Sequence, residues 1–124
     1  MRQIADMLDL TLTYYDGAEN KKAFLNKGRA FLQALGKDLG LTEMKVSVNP
    51  GGVAVSGDCT LIGMWENTGI YVWVSQFYVG HDALLYREVR HMKDYSYGHN
   101  QYLRQCDLRS LSYQQLLELL LKLK

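Results

Sequence analysis

Between Leu85 and Arg104 the chain gathers three Arg, one Lys, two His and four Tyr in twenty residues, against only two acids. Cations interleaved with phenol rings suit three kinds of surface. Rings stack on bases while Arg or Lys meets phosphate, as in single-stranded nucleic-acid binding. Tyr and Arg also dominate the hot spots of protein interfaces. The plainest reading is a structured loop whose tyrosines cover a sheet edge. The candidate binding residues are Tyr86, Arg87, Arg90, His91, Lys93, Asp94, Tyr95, Tyr97, His99, Asn100, Tyr102 and Arg104. Asp94, Gly98 and Asn100 are turn formers, so Lys93 to Arg104 reads as a long surface loop.

Sharper chemistry finds little support. His91, His99 and Cys106 are seven and six residues apart, with Asp107 beside the thiol. No CxxC, HxxxH or HExxH accompanies them, so the spacing does not make a zinc site. His91, His99 and Asp94 could form an acid–base set only if the loop brings them within hydrogen-bond reach. Cys59 needs a neighbouring imidazole to ionise at neutral pH. It falls in a strand expected to be buried, where a thiol is a small hydrophobe. Asn49-Pro50-Gly51-Gly52 has the glycines of a phosphate loop, but it joins two strands and no Lys-Ser or Lys-Thr follows. No catalytic residue, cofactor or metal is assigned.

The elements that position this segment follow from periodicity. Ile4, Met7, Leu8, Thr11, Leu12 and Tyr15 recur at helical spacing, although Leu10 to Thr13 alternates like a strand. Asp16 and Glu19 stand at capping-box spacing and open a second helix running to about Leu39. Phe24, Leu25, Phe31, Leu32, Leu35 and Leu39 form its apolar stripe. Gly28 lies in that stripe, where it implies close approach of another backbone. Lys22, Asn26, Arg29, Gln33 and Lys37 make the opposite ridge, either anion-facing or simply solvated.

From Met44 the period changes to two. Turn signals at Asn49–Gly52, Glu66–Gly69 and Gly80–Asp82 divide an antiparallel meander of four to five strands, the last from Ala83 to about His91. Alternation places Tyr86, Glu88 and Arg90 on one face, with Arg87, Val89 and His91 on the other. Met92 to Asp107 shows no clean period. Ser112 and Gln115 then cap a terminal helix. Its leucines cover roughly 200° of the wheel, about twice a one-sided stripe. Such a helix must wedge into the core or enter a second copy of the chain.

The expected fold is therefore α+β in one domain: two N-terminal helices, the meander and a C-terminal helix, with helices on one sheet face. Composition agrees. The 124 residues are 48% hydrophobic, enough to bury a core, and 14 Lys+Arg against 13 Asp+Glu argue against a chain that coats nucleic acid by net charge. Nine of the aromatics are Tyr, a residue suited to half-buried surfaces. Acids at positions 6 and 9 interrupt any signal-peptide core. Two thiols in an apolar chain fit a reducing compartment, so a cytoplasmic location without membrane contact is expected.

Gly51 to Asp58, Leu61-Ile62-Gly63-Met64-Trp65, and Leu85-Tyr86-Arg87 with Lys93 to Asn100 resemble small uncharacterised proteins of bacteria and their phages or mobile elements. The likeness covers roughly residues 44–108. It implies a cytoplasmic accessory protein that meets a host or phage macromolecule, and it carries over no catalytic residue. The leading expectation is a non-enzymatic module that binds a protein partner through residues 86–104 and self-associates through the leucine helix. Nucleic-acid or nucleotide binding, extended by Lys22, Arg29 and Lys37, is the alternative. A small enzyme using His91, His99 and Asp94 is the third reading.

Overall fold

A computed structural model of the chain describes residues 3–8, 18–50, 57–75, 82–94 and 98–124. It is α+β. Helix α1 (Ile4–Leu8) and helix α2 (Ala18–Asp38) precede strands β1 (Glu43–Asn49), β2 (Asp58–Met64), β3 (Gly69–Ser75), β4 (Asp82–Val89) and β5 (Gln101–Arg104). Helices α3 (Gln105–Ser110) and α4 (Tyr113–Leu121) follow. The strands form one antiparallel sheet in sequence order, so β1 and β5 are its edges.

The register sorts side chains onto two faces. Val46, Leu61, Val72, Tyr86 and Gln101 form one row, and Ser47, Thr60, Trp73, Leu85 and Tyr102 form the next, on the opposite face. The first face carries the core. Helix α2 lies against it, with Gly28 over Cys59 and Val74 and Gly36 over Met44 and Leu61. The α2 stripe is buried at Phe24, Phe31, Leu32, Leu35 and Leu39, while Lys22, Asn26, Arg29, Gln33 and Lys37 are exposed.

The end of α2 is tightly specified. Gly40 takes φ +74°, its amide donates to the Lys37 carbonyl, and the Leu41 amide donates to the Gly36 carbonyl. This is the Schellman pattern, which satisfies two carbonyls left over at a helix end. The buried Trp65 indole donates to the Leu39 carbonyl at 2.7 Å, tying the same end to the β2–β3 turn.

Helix α4 is a wedge rather than a loose tail. Its Ser112 hydroxyl accepts from the Gln115 amide, and the Gln115 side chain accepts from the Ser112 amide, closing the expected capping box. Tyr113 meets Phe31 of α2 edge to face and donates its hydroxyl proton to Asp38. Leu116, Leu117 and Leu120 join the common core.

Four expectations need correction. Among the described residues one full helix precedes the sheet: α1 is a five-residue segment, and the rest of the expected first helix, with Asp16 of the expected cap, lies outside the described residues. Two helices follow the sheet, not one. The 93–104 stretch is not loop throughout, because it ends in β5 and runs straight into α3. Both elements are too short to show a period. A four-residue edge strand pairs on one side only, and its register on β4 is interrupted between Asp82 and Leu84. Helix α3 is secured locally, its Asp107 carboxylate accepting from the Arg104 amide at 2.8 Å. The approach at Gly28 is also to a side chain, the Cys59 sulfur, and not to another backbone.

Candidate functional site

The structure divides the sequence-predicted surface into anchors and display. Tyr86 is an anchor. It sits on the helix-covered face opposite Val72, belongs to the core and is 8% exposed. Arg87 points to the other face opposite Tyr71 and is 6% exposed. Its guanidinium lies 4.8 Å from the Tyr71 ring centroid, a cation–π contact. The same guanidinium donates to the Asp94 carbonyl at 2.8 Å.

Asp94 is the second anchor, at 3% exposure. Its carboxylate accepts from the Arg90 amide at 2.9 Å and from Arg90 Nε at 3.4 Å. The Asp94 amide donates to the His91 carbonyl. Residues 90–94 are therefore a tight turn closed by one carboxylate and held from behind by Arg87. Gly98 takes φ +86°, and a Cβ there would meet the Glu88 carbonyl oxygen at 2.7 Å, so the chain passes back across β4 at contact distance.

Exposed on this frame are Arg90, His91 and Lys93 in the turn, and His99, Asn100, Tyr102 and Arg104 along the way into and through β5. Tyr102 is 52% exposed, and its hydroxyl accepts from the Asn100 amide group at 3.4 Å. His91 Nδ1 accepts from the Lys93 amide. No hydrogen bond among the described residues links His91 or His99 to the Asp94 carboxylate. Tyr95 and Tyr97 lie outside the described residues.

The open face also contains residues that the sequence reading did not single out. Trp73 and Leu85, each half-buried, continue the row that ends in Tyr102. Tyr71 supports Arg87. The signal was present in the alternation of Gly69–Ser75, which puts Tyr71 and Trp73 together on alternate positions. A strand apolar on both faces gave no way to say which face the helices would take.

The 90–94 turn separates two depressions. Thr42, Glu43, Met64, Trp65, Glu66, Arg90, His91 and Met92 border a wide groove at the end of the sheet. A smaller cavity lies on the other side of Met92. The groove brings two acids together with Arg90 and His91, so its charge is mixed. At the far end of the open face, burial raises the Asp58 carboxyl above its ordinary value, opposed by a hydrogen bond from Trp73. Among the described residues no cluster of His, Cys, Asp and Glu could hold a metal ion, and no helix is long and apolar enough to cross a membrane.

Comparison with protein-family models, with curated proteins and with solved structures gives no match.

Proposed function

We propose that this chain is a non-enzymatic module that binds a protein partner through the 90–94 turn, the β5 edge and the open-face row Trp73–Leu85–Tyr102. The observation that carries the reading is the pairing of an apolar row, half-buried Trp73 and Leu85 ending in the exposed Tyr102, with a turn already held in place by Arg87 and Asp94. Aromatic and Arg side chains supply most of the energy at protein interfaces. A loop ordered before binding loses less entropy on association. The mixed charge of the adjoining groove favours a protein over nucleic acid, which needs a positive track along the phosphates. With the resemblance to phage and mobile-element proteins, this reading makes the chain a cytoplasmic accessory protein.

Self-association through α4 belongs to the same proposal, on a narrower footing. The core of the chain itself buries Leu116, Leu117 and Leu120 and has Leu119 and Leu123 packed against it, which leaves the exposed Leu121 for a second copy.

The test is quantitative affinity capture from nuclease-treated cells of the source. A specific partner should be retained by the native chain and by a Lys22→Ala, Lys37→Ala control. It should be lost by about tenfold or more in the Arg90→Ala, Tyr102→Ala variant, as expected for hot-spot residues. Equal retention by both variants overturns the reading. So does salt-sensitive retardation of single-stranded DNA or RNA by the native chain, which would instead support the nucleic-acid alternative.

A further inference from the structure

The 90–94 turn overhangs part of the open face, and the smaller depression beneath it is a cavity of about 230 Å³. Its lining comes from four elements. Lys45 and Ser47 belong to β1, Thr60 and Ile62 to β2, Tyr71 to β3, and Met92 and Lys93 to the turn. Ile62, Met92 and the Tyr71 ring make the apolar part. Ser47 and Thr60 add hydroxyls that can donate or accept. Lys45 and Lys93 bring two ammonium groups from separate walls.

No carboxylate among the described residues lines the cavity, and no ion pair among them involves Lys45 or Lys93. Two acids share the open face two residues from the lining, Glu43 beside Lys45 and Asp58 beside Thr60; neither lines the cavity, and Glu43 borders the other depression. Arg87 stacks on Tyr71 behind that wall, with its guanidinium donating to the Asp94 carbonyl. Cations gathered around a recess with apolar walls raise the local concentration of an anion that can also bury a ring.

We infer that this cavity binds a small anion carried on a single aromatic ring, an aryl carboxylate or aryl phosphate. Its size supports one ring and not more, since pockets for drug-sized ligands run from about 300 to 1,000 Å³. The ring enters between Ile62, Met92 and Tyr71, and the acid group lies between the Lys45 and Lys93 ammonium groups with Ser47 or Thr60 donating to it. The wall that completes the cavity is the turn held by Asp94, so the site depends on that closure. It does not depend on the protein-binding reading, and it stands if no protein partner exists.

The experiment is a titration of the isotope-labelled full chain, followed through backbone amide shifts. Benzoate and phenyl phosphate are the probes, with benzamide, benzylamine and inorganic phosphate as comparisons. Saturable shifts with either aromatic anion are expected at the amides of Lys45, Ser47, Thr60, Ile62, Tyr71, Met92 and Lys93. Benzamide, benzylamine and inorganic phosphate should each bind several-fold more weakly. The Lys45→Gln, Lys93→Gln variant changes two exposed side chains and should keep its fold by the same spectrum, while its affinity drops about tenfold or more. No saturable shift with either anion up to roughly 10 mM overturns the site. Equal binding of benzylamine, or undiminished binding by the double variant, overturns it as well.

Discussion

Asp94 shows how much of a functional surface one buried carboxylate can organise. It accepts from the Arg90 amide and side chain, and its own carbonyl receives Arg87. The ion pair with the well-exposed Arg90 side chain contributes little on its own, since solvent screens such contacts. The bond to the Arg90 amide in this part-buried turn matters more. Asp94→Ala should therefore cost about 1–3 kcal/mol in urea unfolding, and Asp94→Asn, whose amide oxygen can still accept, distinctly less. Arg90→Ala should cost under about 0.5 kcal/mol.

Cys59 is the other informative residue. Burial pushes its thiol up to about 11, Asp58 adds to the rise and Arg29 opposes it. The folded state thus favours the protonated thiol. Its contribution to stability is complete below the ordinary thiol value near 9 and is lost as pH rises through about 11. The stability difference between the native chain and Cys59→Ala should shrink across that interval, measured by denaturant unfolding at each pH. Under native conditions a thiol reagent should label the exposed Cys106 and spare Cys59 until the chain unfolds.

At the scale of elements, α2 seats on the sheet through two glycines with different neighbours. A Cβ at Gly28 would fall 2.8 Å from the Cys59 sulfur, whose side chain is short and fixed on a strand. At Gly36 it would meet the tip of Met44 at 2.6 Å, a flexible end that can move aside. Alanine adds helix propensity worth up to about 1 kcal/mol at either place. Overpacking costs about 1–3 kcal/mol where the neighbour cannot yield. Gly28→Ala should lower the midpoint of thermal unfolding, and Gly36→Ala should leave it unchanged or raise it. Helix α2, the hairpin strands and the Ser112 cap were legible in the sequence because each repeats a period or places a cap residue at fixed spacing. Strand β5 and helix α3 were not, since four and six residues hold their shape through β4 and a local cap rather than through a pattern of their own.

For the whole molecule, the decisive fact is which side of the sheet the helices occupy. The core takes Tyr86 from the candidate surface and leaves Tyr102, so two tyrosines that look alike in sequence have opposite roles. The leucine-rich α4 is similarly divided. Most of its arc is spent within the chain, and Leu121 remains 39% exposed. If a second copy packs there, light scattering at micromolar concentration should show a dimer that Leu121→Glu converts to monomer without loss of fold. A native chain that is monomeric at that concentration removes the α4 contact from the proposal.

By itself the sequence determined the α+β class, the two-residue period of the meander, the burial of the α2 stripe and the clustering of cations and tyrosines between Arg87 and Arg104. These are local properties, set by spacing and residue type along one stretch of chain. Only the tertiary structure decided that Arg87 and Asp94 brace the turn while Arg90, His91 and Lys93 face outward. It alone placed Lys45 of the first strand across a cavity from Lys93. Such pairings depend on strand register and on which face the helices cover. Both are settled by packing between elements far apart in sequence, and no period within a single element records them.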